Sequence, residues 1–493
     1  MSPYDLLIIG GGINGCALAN MAAQRGLKVC LVDKSDFSSG TSSKSTKLMH
    51  GGIRYLEQGD ITLVREALEE RYVHCQSVPH LVKPLEFVIP VYERDPRPLW
   101  MMKAGVALYD FLAGGHRLGL HRFLNPKEAL QVLPGLKSRG LTGAVSYYDA
   151  QMDDARLCLE NALMAASRGA VLKNYVTVDS FDKKDGKVVG VNARDVLSGE
   201  RFEILARRIV VAVGPWTNEL KKMDFVQGQH KIRTTKGVHL VYAKNLSDKA
   251  LLLQVQQDQR IFFVIPWKGQ SLVGTTDTDF SGRVEDAQPA AADIDYLFSE
   301  LRRVFPDEPF QKEKIVTTFA GLRPLVYASG HPSKVSRRHV IEESFSGVIY
   351  VMGGKYTTYR RIAGECLAKV LGEKKWQPTP EYPLFGSGSI NEDSFELSRH
   401  YGIDRATIEY LESLYGTRYR NVLDLTVDQP SLKKKICTCS LAIEAQIVYS
   451  IRVEMAKTAE DIMGRRVGLR YQKCDTKRCQ QVIEKYIAQG IPV

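Results

Sequence analysis

Tyr4-Asp-Leu-Leu-Ile-Ile-Gly-Gly-Gly-Ile-Asn-Gly15 reads as a buried β-strand that runs straight into a glycine turn, and the Ala-, Leu- and Met-rich residues after it, as far as Arg25, read as a helix. Gly26 stands where a helix ends, and Leu27-Lys-Val-Cys-Leu-Val32 resumes a buried strand that closes on Asp33. The unit is βαβ, with Gly10-x-Gly12-x-x-Gly15 at its first turn and an acid at the end of its second strand. Gly10 permits the tight turn, Gly12 lets a pyrophosphate approach the helix N-terminus, Gly15 allows close helix-strand packing, and Asp33 can accept bonds from ribose hydroxyls. This predicts a dinucleotide site. The fingerprint serves nicotinamide and flavin dinucleotides alike, but the chain carries it once, which disfavours an enzyme that moves hydride between the two.

Two further strands end in glycine turns: Arg208-Ile-Val-Val-Ala-Val213 before Gly214-Pro-Trp216, and Val348-Ile-Tyr-Val-Met352 before Gly353-Gly354, the latter followed by helical spacing from Tyr356 to Leu371. A parallel sheet assembled from separated segments is expected. Between them, His239-Leu-Val-Tyr, Arg260-Ile-Phe-Phe-Val-Ile265 and Gln270-Ser-Leu-Val-Gly274 read as an interleaved antiparallel sheet. A Pro-, Gly- and Ser-rich linker from Pro378 to Gly388 precedes helical periods over Ser394 to Tyr401, Ala406 to Leu414, Leu441 to Arg465 and Cys479 to Ala488.

The 493 residues exceed one core's usual size and predict two or three domains. No stretch reaches the roughly 18–20 apolar residues of a spanning helix, and the start lacks a signal peptide's pattern, so the mature chain is expected to begin near Met1. Nine scattered cysteines fit reduced, unpaired thiols. Cys437, Cys439, Cys474 and Cys479 cluster, but their C-x-C and C-x4-C spacing is not that of paired zinc knuckles, and no metal site is expected. The net charge is +11, and between Ser431 and Cys479 eleven Lys or Arg face five Asp or Glu. Such a surplus suits an anionic surface or a solvated helical face. Aromatic-basic interleaving of the kind that binds single strands is missing, so nucleic acid is not expected as a partner.

After Asp33 comes Gly40-Thr-Ser-Ser-Lys-Ser-Thr-Lys-Leu-Met-His50-Gly-Gly-Ile-Arg54-Tyr55-Leu-Glu57. Asp153-Asp-Ala-Arg156, Gly214-Pro-Trp216, Lys236-Gly237 with His239, Phe263-Val-Ile-Pro-Trp267, Gly274-Thr-Thr-Asp277, Gly321-Leu-Arg323-Pro324 and Gly353-Gly-Lys355-Tyr-Thr-Thr-Tyr-Arg360 follow in order. This series closely resembles the FAD-dependent, quinone-linked glycerol-3-phosphate dehydrogenases of the amino-acid oxidase-like flavoprotein superfamily. Asp33 stands where members of that family often carry Glu, and either carboxylate accepts the same bonds. The resemblance implies an α/β fold: a Rossmann-like FAD-binding domain (1–75, 148–220 and 336–378), an interleaved antiparallel-sheet substrate domain (76–147 and 221–335) and a C-terminal helical domain (388–493).

It implies oxidation of sn-glycerol 3-phosphate to dihydroxyacetone phosphate by hydride transfer to FAD, with a membrane quinone as acceptor. An oxidase that passes the electrons to oxygen and releases peroxide is the alternative. A phosphate dianion calls for several cations at once, and Arg54, Arg323 and Lys355, each beside glycine or proline, match the family's substrate-contacting positions. His50 or Lys355 could remove the hydroxyl proton, with His239 a weaker candidate, while Tyr55, Thr276 and Thr358 could orient the alcohol or the flavin. The implied cofactor-binding set is Gly10, Gly12, Asn14, Gly15, Asp33, Lys34, Thr41, Ser42, Ser43, Lys47, His50, Gly51, Gly52, Val176, Gly214, Trp216, Gly354, Lys355, Tyr356, Thr357 and Thr358. A quinone acceptor without a spanning helix implies peripheral attachment to an anionic lipid surface at the cytoplasmic side of a membrane. The basic C-terminal region and the apolar stretch Arg97 to Leu112 are the candidate contacts, with core packing favoured for the latter, and assembly as a homodimer is left open.

Overall fold

Leu6, Leu7 and Ile8 are fully buried, as a strand covered on both faces requires, and Tyr4–Ile9 lies at the middle of a sheet. In the computed structural model, which describes residues 3–225, 230–327, 338–379, 382–472 and 476–490, this strand pairs in parallel with Val29–Asp33 and with Arg201–Val211. Val171–Asn174 and Val348–Gly353 extend the parallel set on either side, and His339–Glu343 closes one edge antiparallel. Segments two and three hundred residues apart thus share one sheet, as the glycine-terminated strands predict. The helix Ile13–Gln24 is apolar nearly all round and is sandwiched between that sheet and the helices Asp154–Ser167 and Tyr359–Leu371.

The alternating stretches form a second sheet of ten strands, antiparallel except where Ala250–Gln254 meets Val82–Tyr92. Its longest pairings are Val82–Tyr92 with Leu141–Met152 and Ile232–Tyr242 with Ile315–Val326. Helices Ile61–Ser77 and Leu99–Ala113 cover one face, and Ala291–Val304 the other. Leu99–Ala113 packs one face into the core, as expected, and leaves the other exposed. Met102, Val106 and Tyr109 are buried, yet Trp100 is 71% and Phe111 73% exposed.

The residues after the linker are helical, with helices at Ser394–Tyr401 and Arg405–Tyr415 where the periodicity places them. Leu441 to Arg465 is not one helix. It divides into Ala445–Arg452 and a π-helical turn, Asp461–Arg466, because polar contacts made in between outcompete helical hydrogen bonds. Glu454 turns inward to pair with Arg156 at 2.6 Å, and Asp461 accepts from the backbone N–H groups of Lys457 and Thr458. The basic surplus is also partly internal. Arg465 and Arg466 are buried against Asp36 of the first sheet's loop, at 2.7 and 2.6 Å. Cys16, Cys30, Cys75, Cys158 and Cys366 are free and buried, but Cys439 is disulfide-bonded, against the expectation of unpaired thiols. Among the described residues no helix is long and apolar enough to cross a membrane.

Burial raises the Asp36 carboxyl's pKa, but the two guanidinium groups outweigh it and hold the value at about 2. The pair therefore adds stability above the ordinary carboxylate range of about 4, and that contribution fades as pH falls toward 2. Asp36→Asn should cost about 3–5 kcal/mol in denaturant unfolding at neutral pH, because buried Arg466 loses its carboxylate and Arg465 keeps only Asp461; an unchanged midpoint would show that this network does not tie the C-terminal helices to the sheet.

Candidate active site

The C-terminal ends of the three central parallel strands open onto a cavity of about 1160 Å³, whose opposite wall is the second sheet. Ligands bind at this edge of open α/β sheets because strand-to-helix turns there present backbone N–H groups. Gly10 has φ +114°, and a Cβ on it would lie 2.6 Å from the Ala212 carbonyl oxygen; one on Gly15 would lie 1.9 Å from that of Gly10. Only glycine fits at either place. Gly11 donates its N–H to Asp33 Oδ2 at 2.6 Å, Ser35 donates to Oδ1 at 2.8 Å, and Ser42 Oγ accepts from Ile13 N–H at 3.0 Å. Burial pushes the Asp33 pKa up to about 6 against the pull of those two N–H donors. Asn14 Oδ1 is buried beside the turn with no hydrogen-bond partner among the described residues.

Further along the cavity stand the cations. Lys355 Nζ donates to the Gly51 carbonyl at 3.0 Å and lies 4.7 Å from the Tyr55 ring centre. Arg323 is held by Asp277 at 2.9 Å and donates to Thr275 Oγ1 at 2.8 Å. Arg54 donates to the Tyr55 hydroxyl at 3.3 Å, and among the described residues no carboxylate stands within ion-pair distance of it. It is half-buried, and the Tyr55 oxygen and the field of Asp277 and Glu57 keep its pKa raised. His50 lies partly exposed on the same wall, its backbone bracketed by Thr357 Oγ1. His239 is buried, with Nε2 3.0 Å from Thr46 Oγ1; burial first, then Arg323 and Lys47, keep it neutral.

Of the residues singled out from sequence, Gly10, Gly12, Asn14, Asp33, Lys34, Thr41, Ser42, His50, Gly52, Arg54, Tyr55, Val176, Gly214, Trp216, Arg323, Gly354, Lys355, Tyr356 and Thr357 line this cavity. Six do not. Gly15 and Gly51 sit behind the wall, where Gly51 N–H donates to Asp149. Ser43 and Thr358 are buried, the latter donating to the Lys355 carbonyl. Thr276 is occupied by the second sheet, its Oγ1 accepting from Val238 N–H at 3.0 Å, while its neighbours Thr275 and Asp277 reach the cavity. Lys47 points away into a fully buried ion pair with Asp154 at 2.5 Å; burial would lower its pKa, but Asp154 outweighs that and raises it. A lysine in a hydroxyl-rich loop gives no sign in sequence that its carboxylate partner waits a hundred residues on.

The cavity also gathers Lys44, Arg97, Arg260 and Asp277, none of them on the sequence-derived list. Arg97 pairs with Glu57, and Arg260 with Asp258. Arg260 opens a strand and Arg97 precedes a helix, positions at which a charged residue looks unremarkable.

Residues 5–364 match the family model of FAD dependent oxidoreductases, and 377–489 match the C-terminal domain of alpha-glycerophosphate oxidase. The chain is 37% identical to a glycerol-3-phosphate dehydrogenase of Synechocystis sp. over 94% of its own length and 89% of the relative's. It is 36% identical to the aerobic glycerol-3-phosphate dehydrogenase of Staphylococcus aureus, over 95% and 87%. The fold matches a crystal structure of glycerol-3-phosphate dehydrogenase from Bacillus halodurans complexed with FAD, with TM-score 0.83, 29% identity and coverage of 99% and 91%. An FAD-bound L-alpha-glycerophosphate oxidase from Mycoplasma pneumoniae shares the fold at TM-score 0.60 and 18% identity, covering 78% and 99%.

FAD is the cofactor, and the residues present fit it: a glycine cradle that any Cβ would obstruct, an acid with a free lone pair on each oxygen, and an unsatisfied amide oxygen at the turn. Since the ribose hydroxyls need Asp33 as a carboxylate, and its pKa is about 6, the cofactor-free protein should bind FAD up to about tenfold more weakly for each pH unit below that value. Fluorescence titration between pH 5 and 7.5 measures this, with Asp33→Asn weak and flat across the range; a flat profile for the unaltered protein would remove Asp33 from the ribose. The chain belongs to the FAD-dependent oxidoreductases and, within them, to the glycerol-3-phosphate dehydrogenase family.

Proposed function

We propose that this chain oxidises sn-glycerol 3-phosphate to dihydroxyacetone phosphate and that its electrons pass to a membrane quinone. The observation that carries the reading is Arg54: a half-buried guanidinium on the cavity wall with no carboxylate in ion-pair distance among the described residues, in a cavity that Lys355 and Arg323 also line. Desolvated cations hold an anion strongly, and a phosphate dianion offers enough oxygens to meet all three at once. Bound FAD supplies the hydride acceptor. Arg54, Arg323 and Lys355 fix the phosphate end and so direct the C2 hydrogen of the alcohol, converting binding energy into orientation. In this reading His50, partly exposed where His239 is buried and tied to Thr46, takes the hydroxyl proton.

Replacing Arg323 or Arg54 by Ala should raise the KM for glycerol 3-phosphate by about 30-fold or more, a loss of roughly 2–3 kcal/mol for one charge-assisted contact, and leave the protein yellow. Unchanged kinetics in steady-state assays with a soluble dye would remove the anion clamp.

The quinone half rests on surface chemistry. Trp100 and Phe111 project from the helix Leu99–Ala113, with Leu120 and Phe123 exposed nearby and Lys103 5.3 Å from the Phe123 ring. Aromatic side chains beside cations suit the interface of an anionic bilayer, here at the cytoplasmic face. Because Arg465 and Arg466 are consumed in buried ion pairs, this helix displaces the C-terminal region as the favoured contact. Trp100→Ser with Phe111→Ser should lower cosedimentation with phosphatidylglycerol vesicles at least fivefold without altering dye-linked turnover; equal cosedimentation would exclude this face. Stoichiometric peroxide under air, with no reduction of quinone analogues, would favour the oxidase instead.

A further inference from the structure

Asp149 carries a buried carboxylate that the site described above leaves without a task. It stands where a backbone ladder ends: Leu48 pairs with Gln151 and Met49 with Ala150, and the pairing then stops. The chain leaves the sheet at His50, and the Asp149 side chain takes over as acceptor, receiving the Gly51 N–H at 3.2 Å. The same oxygen, Oδ1, accepts from Arg71 of the helix Ile61–Ser77 at 2.8 Å and from the Tyr109 hydroxyl of Leu99–Ala113 at 2.8 Å, with Oδ2 3.0 Å from that hydroxyl. Asp149, Arg71 and Tyr109 are each only 1% exposed. A buried ion pair adds little over well-packed apolar residues of the same size, so stability alone does not account for a carboxylate here.

The peptide that Asp149 grips supplies the reason. The His50 carbonyl and the Gly51 N–H belong to one planar unit. Its carbonyl accepts from Thr357 Oγ1 at 3.0 Å and from Lys355 Nζ at 3.4 Å, while its N–H is held by Asp149. Lys355 also donates to the Gly51 carbonyl at 3.0 Å. A plane held at both edges cannot swing, so the two carbonyls that receive the Lys355 ammonium are fixed in direction. Tyr109 closes the space behind the loop, where a Cβ on Gly51 would run into its hydroxyl oxygen. Lys355 and His50 line the cavity, whereas Asp149, Arg71 and Tyr109 do not. Whatever these three contribute to the site therefore passes through the loop.

We propose that Asp149, braced by Tyr109 and Arg71, is a positioning residue for Lys355: it anchors the His50–Gly51 peptide and so aims the ammonium into the cavity, at the phosphate end of the substrate. The aiming belongs to the fold, and its effect on KM rests on the activity proposed above. Without the anchor the charge of Lys355 stays but its direction is lost, and the phosphate is held less well.

The test uses the full-length, FAD-loaded protein and two readouts. The first is the rate at which acetic anhydride labels Lys355, followed by peptide mass spectrometry with Lys34 of the same cavity as internal reference. Tyr109→Phe, which deletes one oxygen, should raise that rate about threefold, and Asp149→Ala about tenfold. The second is the KM for glycerol 3-phosphate with a soluble dye. Rises of about three- and tenfold are expected; both should vanish when the substitution is made on Lys355→Met and persist when it is made on Arg323→Ala. Unchanged labelling of Lys355 in Tyr109→Phe would overturn the positioning role. So would equal rises in KM with and without Lys355, because a general loosening of the fold acts on either background. Should Asp149→Ala not fold, Tyr109→Phe decides alone. A protein that turns over no glycerol 3-phosphate would count against the proposed activity, and the labelling rates would still decide whether Asp149 holds Lys355.

Discussion

Positive charge inside a protein is costly, and residues of both sheets and their loops hold it in place on the cavity wall. Lys355 is fixed by backbone carbonyls and an aromatic face, Arg323 by one carboxylate and a threonine hydroxyl, and Arg54 by a phenol. Asp277 offsets the Arg323 charge, whereas carbonyls and a phenol position Lys355 and Arg54. Lys47 and Arg466, by contrast, do not line the cavity and are fully buried against carboxylates, where each serves structure. The division between cavity-lining and structural cations follows from their exposure to the cavity as well as from what faces them.

The glycine cradle sets the other half of the site. Because Gly10 and Gly15 exclude any side chain, the first strand and helix approach closely enough to leave the Gly12 turn and Asp33 open to a dinucleotide. The parallel strands fix that end and, after Val348–Gly353, Lys355 as well; the antiparallel sheet carries Arg323, and the cavity lies between the two sheets.

Local chemistry was legible in the sequence. The βαβ unit, the glycine-terminated strands and the cations beside glycines all stood in contiguous patterns, and they lie at one cavity in the fold. What escaped depended on distant partners. Lys47 looked like a cofactor ligand until Asp154 met it, Thr276 gives its hydroxyl to a neighbouring strand, and Arg97 and Arg260 reach the cavity only through tertiary folding. The helical period from Leu441 to Arg465 hid a break, since Glu454 and Asp461 find partners that periodicity cannot foresee. Charge counting failed likewise for Arg465 and Arg466, whose carboxylate comes from the opposite end of the chain.

The central claim is that the cationic cluster presents a phosphorylated secondary alcohol to the bound flavin. Its most direct test is the visible spectrum of the purified yellow protein during anaerobic addition of glycerol 3-phosphate, with glycerol and inorganic phosphate as separate controls. The account predicts loss of the oxidised-flavin absorption with glycerol 3-phosphate alone. A spectrum that stays unchanged, or that bleaches equally with unphosphorylated glycerol, would contradict it.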